Sequence, residues 1–538
     1  MQQPKRSSVR ALLSPWFAIG LALALAACGG QSLPGGGGNS LLRRGLSGEP
    51  ASLDPAAASD NFSTQVMQDL YEGLTSESAS GAPVPGAASA WTVDATGREY
   101  RFQLREDARW SNGSPVRARD FVSAWQRVID PKNGSPVADN LRLIEGAAAI
   151  IAGKADPGSL AVYAPDDRTL IVKLTQPAPY FPEVLTHSST FPIYSAISAG
   201  SHSPETWVSN GPYVLKRWRP GTTIELAKNP QYWDRAHVQI AAIQYQIASD
   251  ETAQLSRYRA GELDLTNSVP PNAFAALKGA NSSELVIAPF LATAYYGINL
   301  KFGPTADNIK LRRALAMSID RHRLVAALGA GQTPAYGFLP PGIWNYSQQF
   351  LPWKDLPDQE RIDEAKRLFS EAGIPGARPL RLRLLFNSNV VIKQTAILIA
   401  AMWKEVLGID TALIDEENRV FLISRHDRMR WDVARLGWVA DFNDASNFLD
   451  IFREHSTNND AGYSNAAFEA LLDAAADTAD PAKRRSLLEQ AERLMIGDYP
   501  IIPLYHFVSK RLVKPYVSGV DPSPLDGVPS KALSITPH

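Results

Sequence analysis

Cysteine is nearly missing: Cys28 is the only one in 538 residues, so no disulfide can form within the chain. Histidine is sparse and scattered, at His187, His202, His237, His322, His426, His455, His506 and His538, and none falls in the His-Glu-x-x-His spacing that seats zinc on one helix face. A Gly-x-Ser-x-Gly nucleophile elbow and a Gly-x-x-x-x-Gly-Lys phosphate loop are also missing. These absences give no support to a metalloprotease, a serine hydrolase or an ATPase, and neither a cofactor nor a metal is expected. The formal net charge is −1. Acidic residues are lacking before Cys28, where Lys5, Arg6 and Arg10 stand, so removing that leader would leave roughly −4. Nucleic-acid binding needs a basic surface and is not expected. After the leader, no run is long and apolar enough to span a bilayer.

What is present begins with the leader. The three basic residues precede a mostly apolar stretch, Ala11 to Ala27, which is short for a span and contains Ser14 and Pro15. Small residues then lead into the single cysteine, Leu25-Ala26-Ala27-Cys28. The pattern is that of a secretion signal, and its last four residues look like a bacterial lipobox, in which cleavage exposes an acylated cysteine. An ordinary signal peptide or a spanning helix are the bland alternatives. The expectation is a signal peptide over 1–27, lipidation at Cys28, and a flexible Gly-rich tether over 28–40. The mature chain would then sit in the periplasm or on the outer cell surface, held to a membrane by its N-terminal lipid.

The body alternates strand and helix signals, as α/β lobes do. Tyr100 to Arg105 alternates with Tyr100, Phe102 and Leu104 on one parity. Asn112-Gly113 marks a turn, and Asp120 is expected to cap the following helix. Leu170 to Leu174 reads as a strand. Ile362 to Ala372 reads as a helix closed by Gly373. Arg381 to Phe386, Ile392 to Leu407 and Thr411 to Ile414 read as strand, helix and strand, with Gly408 ending the helix. Asp480-Pro481 pairs a cap with proline at the first helical position. Neither an internal repeat nor a fixed order of lobes emerges from pattern alone.

Several segments stand out in order along the chain. They are Glu49-Pro50-Ala51-Ser52-Leu53-Asp54-Pro55, Asn210-Gly211-Pro212-Tyr213 with Lys228-Asn229-Pro230-Gln231-Tyr232-Trp233, and Tyr258-Arg259-Ala260-Gly261-Glu262-Leu263-Asp264. Further on come Arg312-Arg313-Ala314-Leu315-Ala316-Met317 with Pro334-Ala335-Tyr336-Gly337, then Asp432 through Asp441, and Arg511-Leu512-Val513-Lys514-Pro515. Together these segments resemble the oligopeptide-binding members of the peptide/nickel class of ABC-transporter solute receptors, and the resemblance implies a two-lobe, periplasmic-binding-protein-like α/β fold of three domains with a hinge and an interlobe cleft. Domain I would be discontinuous (41–75, 191–289 and 508–538), domain II would cover 76–190, and domain III 290–507. It also implies capture of short peptides by lobe closure, delivery to ABC permease and ATPase subunits, no enzymatic activity, and a monomer.

A short peptide carries an ammonium, a carboxylate and a polar backbone, and each is costly to bury unmatched. In similar receptors the position of Asp441 pairs with the peptide α-amino group. A loop acid or helix cap is the plain alternative. Arg435 and Arg425 are candidates for the carboxylate, because a guanidinium grips it through two parallel hydrogen bonds; a surface ion pair is the plain alternative. Were 433–441 extended, Arg435 and Asp441 would share a face, at most about 20 Å apart. Gly437 and Val439 match positions whose main chain pairs with ligand backbone. Trp438 is expected to line a side-chain pocket, with a core tryptophan as the plain alternative; Tyr295 falls in a matching aromatic segment expected to border the ligand, and Asn418 stands where a pocket tryptophan is common. Two positions that often carry basic residues read Leu328 and Ile392. The rival readings are a same-fold receptor for another cargo (dipeptide, nickel chelate, haem, opine or sugar), a structural lipoprotein, and a secreted hydrolase.

Overall fold

Caps and breakers set the elements much where the residues predict. The computed structural model describes residues 40–78, 81–194, 206–280, 282–374 and 379–537; the leader, Cys28 and the Gly-rich tether lie outside the described residues. Asn389 Oδ1 accepts from the backbone N–H groups of Val391 and Ile392 and starts the helix Val390–Leu407, which ends on Gly408 at φ 68°. This helix joins strands Arg381–Asn387 and Asp410–Glu416, which pair in parallel, as a β-α-β unit must. Asp480 caps Pro481–Asp498. The expectation for Asp120 is corrected. The helix Ala118–Ile129 is entered from Arg117, and Asp120 sits three residues on, where its carboxylate accepts from Arg117 N–H and Trp110 Nε1–H.

Two large cores divide the body. The first gathers residues from Leu42 to Tyr245 with Leu265 and the C-terminal stretch Val513 to Leu533. It carries two four-stranded sheets. In one, Leu41–Leu46 lies beside Ala242–Ile247, Thr223–Lys228 and Tyr213–Arg219; in the other, Ala88–Val93 precedes Glu99–Leu104, Thr169–Lys173 and Val162–Tyr163. The chain's end is tied in by charge: Arg44 Nη1 donates to Val528 O and Ser530 Oγ, and Asp69 accepts from Ser530 N–H and Oγ–H.

The second core runs from Leu291 to Tyr505 around a six-stranded mixed sheet. Its middle is the antiparallel pair Leu285–Ile298 and Ile501–Leu512. These strands are long because they serve both lobes. At one end Leu285 opposes Leu512 beside Tyr258 and Phe274; at the other, Gly297 opposes Ile501 in the second core. Their register breaks between Pro289 and Thr293, so the sheet loses regular pairing where the chain passes between lobes. His506 is buried at this crossing, hydrogen-bonded to Thr293 Oγ1 at 2.9 Å, and burial pulls its pKa down to about 3, so it stays neutral.

Candidate functional site

Strand Val433–Val439 lies next to this crossing and is paired unequally. One edge matches Leu285–Ile298 over its whole length, from Ile298↔Val433 to Ala292↔Val439. The other meets Arg381–Asn387 only at Val433 and Ala434. From Arg435 to Val439 that second edge has no strand partner among the described residues, and a free edge is a template for an added strand. Burial alternates as the pleat requires: Leu436 and Ala440 are buried, whereas Gly437, Val439 and Asp441 are exposed and Arg435 half-buried.

The two ends of this edge open into different cavities. Arg435 lines one of about 400 Å³, with Ile392, Tyr505 and Lys510 among its walls. The Arg435 guanidinium has no hydrogen bond and no carboxylate partner among the described residues. Burial draws its pKa down, partly offset by Tyr505, Tyr296 and Tyr295, yet a guanidinium stays charged. It folds along the strand: its Cζ lies 3.8 Å from where a Cβ on Gly437 would sit. Lys510, in the same cavity, donates only to Ala330 O, at 2.8 Å; burial pulls its pKa down, with Glu251 opposing. Asp526, which also lines this cavity, is held by Arg511. The cavity therefore presents two cations without carboxylate partners.

Asp441 lines the other cavity, of about 240 Å³, whose walls come from both lobes: Asn61, Gln68, Glu77 and His187 from the first and Val439 from the second, with Leu525 of the C-terminal stretch packed against the second core. Asp441 is oriented by Asn447, which accepts from its N–H at 3.3 Å and donates to its Oδ2 at 3.5 Å. His187 Nδ1 accepts from Ser189 N–H, so the neutral ring carries its proton on Nε2. Burial pulls the His187 pKa down while the Asp441 charge opposes.

The other expected residues lie elsewhere. Arg425 is paired with Asp460, Nε to Oδ2 3.6 Å, which also takes His426; it reads as structural. Trp438 faces the buried side and donates to Asn447 Oδ1 at 2.8 Å. Tyr295 is a core residue, its ring edge-on to Phe338 at 5.1 Å and beside Phe452, because it opposes buried Leu436 in the sheet. Asn418 is exposed at a helix start, accepting from Asn387, and lines neither cavity. Leu328 is core, whereas Ile392 is a cavity wall. Lys510, Glu77 and His187 enter the site unannounced. Lys510 adjoins the Arg511–Pro515 segment, but nothing in its spacing marks it.

Beside this site the lobes touch. Tyr180 stacks on Phe442 at 5.5 Å and 8°, and Arg484 lies over the Tyr180 ring at 4.4 Å. Asn443 Nδ2 donates to Gly81 O at 3.4 Å, and Gly81 has φ 81° with no room for a Cβ against Asn443. Glu183 is buried here, and its carboxyl oxygens have no hydrogen-bond partner from another side chain among the described residues. Burial, reinforced by Asp444, pushes it up to about 8. A carboxyl raised from 4.5 to about 8 favours the fold while protonated, so its contribution is full below pH 4.5 and fades as pH rises through 8. Thermal midpoints should therefore fall between pH 5 and pH 8.5, with a shallower slope in Glu183→Gln, as calorimetric scans across that range would measure.

Two α/β lobes, joined by crossing strands and enclosing a cleft with charges at its ends, define a solute-binding receptor. The family model for bacterial extracellular solute-binding proteins, family 5 (middle), matches residues 82–460, and the chain belongs to that family. It is 38% identical over 506 residues to the periplasmic oligopeptide-binding protein OppA of Salmonella typhimurium, covering 92% of this chain and 93% of that one. It is also 38% identical over 499 residues to the probable deoxycholate-binding periplasmic protein YgiS of Escherichia coli, with 91% and 92% covered. Among solved structures it resembles the unliganded open form of the periplasmic murein tripeptide binding protein MppA, at TM-score 0.85 and 35% identity over 93% of this chain and 98% of that one.

Proposed function

We propose that this receptor captures short peptides as an added strand on the free edge of 435–439 and delivers them intact to the permease and ATPase subunits of an ABC importer. The observation that carries this reading is the Arg435 guanidinium, partly buried and without a counter-charge, at one end of that edge, with Asp441 at the other. The peptide α-ammonium meets Asp441, its carboxylate meets Arg435 assisted by Lys510, and its backbone pairs with Gly437 and Val439. The peptide then runs antiparallel to strand Val433–Val439. Because the guanidinium reaches back over Gly437, the two charges are about four residues apart, or about 13 Å at strand rise. That span suits three to four extended residues at about 3.5 Å each.

On this reading the protein works as a monomer, without catalysis, held to a membrane through acylated Cys28. The first lobe comprises the discontinuous domain I (41–75, 191–289, 508–538) with domain II (76–190), and 290–507 closes onto it around the crossing strands. Charge on the carboxylate end is the test. Calorimetry should show Arg435→Gln weakening tetra-alanine by roughly tenfold or more while leaving the C-terminal amide nearly unchanged. Equal losses for acid and amide would remove Arg435 from the carboxylate.

A second reading, an apolar acid as cargo, is favoured by the relative named for deoxycholate at the same 38% identity and by Ile392, Phe290 and Phe507 in the Arg435 cavity. It engages Arg435 alone and gives Asp441 no role.

A further inference from the structure

The cavity at the amino end holds one more group than a peptide terminus needs. Glu77 ends the strand Thr75–Glu77 on the first lobe and lines the same 240 Å³ cavity as Asp441. Its Oε1 is buried and has no hydrogen-bond partner among the described residues. Leaving a buried carboxyl oxygen without a donor is costly, and a fold does not need that cost at a position on a cavity wall. Burial pushes the Glu77 carboxyl up to about 7, with a hydrogen bond from Ser523 opposing.

The chain's own cations do not answer it. Lys531 shares with Glu77 the wall of a smaller adjoining cavity, but its Nζ is bound to Glu72 Oε1 at 3.1 Å and Ser76 Oγ at 3.2 Å. Among the described residues, His187 is the basic side chain on the larger cavity's wall, and burial draws it toward neutral. Two carboxyl residues thus line one cavity, and neither has an ion-pair partner among the described residues. A peptide α-ammonium satisfies only Asp441.

We propose, on the strength of the peptide reading above, that Glu77 selects peptides whose first residue is basic: the side-chain ammonium or guanidinium takes Glu77 while the α-ammonium takes Asp441. The remaining walls suit such a guest, since Gln68, Asn61 and Thr64 offer polar contacts along its path and no bulky aromatic closes the space. On arrival of the cation Glu77 gives up any proton it holds to solvent, so uptake of a basic peptide near pH 6 releases protons that uptake of a neutral one does not.

Calorimetric titration of the full-length protein with Lys-Ala-Ala and Ala-Ala-Ala at pH 7 tests this. The wild type should prefer Lys-Ala-Ala by about tenfold or more. Glu77→Gln should abolish that preference, bringing the two peptides to within about twofold of each other. Absence of a preference in the wild type overturns the proposal without any variant, and so does a preference that survives Glu77→Gln. Failure of both peptides to bind the wild type would instead sink the peptide reading itself, and this proposal with it. In buffers of different ionisation enthalpy at pH 6, Lys-Ala-Ala should show proton release that Glu77→Gln removes.

Discussion

Asp441→Ala is expected to weaken a free-amine tetrapeptide about 100-fold while changing its N-acetylated form little. The ammonium is hydrated in solution and is stripped of that water when the lobes close. Removing one partner of a desolvated charge pair costs about 2–5 kcal/mol, much of it the penalty on the charge left behind. An acetylated peptide brings no charge to this end and loses only a neutral contact. Asn447 holds Asp441 at two points, accepting from its backbone N–H and donating to its Oδ2, which lowers the orienting cost to be met on binding. The same variant separates the two cargo readings, because an apolar acid held by Arg435 should bind Asp441→Ala as it binds wild type. Calorimetry with the three ligands reads both answers.

The second large effect concerns stability. Asp444 and Arg484 form a two-pronged ion pair at 2.7 and 2.8 Å, with both residues buried. Burial alone pushes the Asp444 carboxyl up, but the Arg484 charge and its hydrogen bonds, with those from Ser446, outweigh it and hold Asp444 below the usual carboxylate range. Asp444→Ala leaves Arg484 buried with its charge unanswered and also removes the cap on Ala445–Leu449. The expected loss is about 3–5 kcal/mol for the second lobe, measured by urea unfolding followed through tryptophan fluorescence. Replacing both partners with apolar residues of similar volume, Asp444→Leu with Arg484→Met, should restore much of that loss, because no buried charge is then left alone. Tyr180 lies against the Arg484 guanidinium, so the single variant should also loosen the contact between lobes.

Local signals in the chain were read well where one residue decides the matter. Asp480-Pro481 starts a helix because the carboxylate meets free N–H groups and proline has none to offer; Gly408 and Gly373 end helices at φ 68° and 61°. Asp120 misled because an acid three residues inside a helix and one at its cap look alike in sequence, and only Trp110, ten residues upstream, shows which it is. The proposed site was suggested at Asp441 and Arg435 by an ordered resemblance and by the parity of an exposed strand face. Arg425 and Tyr295 were not resolvable in that way. Their fate is set by Asp460 and by Phe338 with Phe452, which the fold brings from far along the chain. Glu77 and Lys510 carry no pattern at all. Their proposed roles rest on what is missing around them among the described residues, a donor to Glu77 Oε1 and a carboxylate beside Lys510, and such an absence becomes visible only in three dimensions.

The most direct measurement is a crystal structure of the protein soaked or grown with tetra-alanine. An extended peptide is expected along residues 435–439, its nitrogen end hydrogen-bonded to the Asp441 carboxylate and its carboxylate on the Arg435 guanidinium. A peptide lying in the opposite direction, or one bound with Asp441 and Arg435 both still facing water, would contradict it.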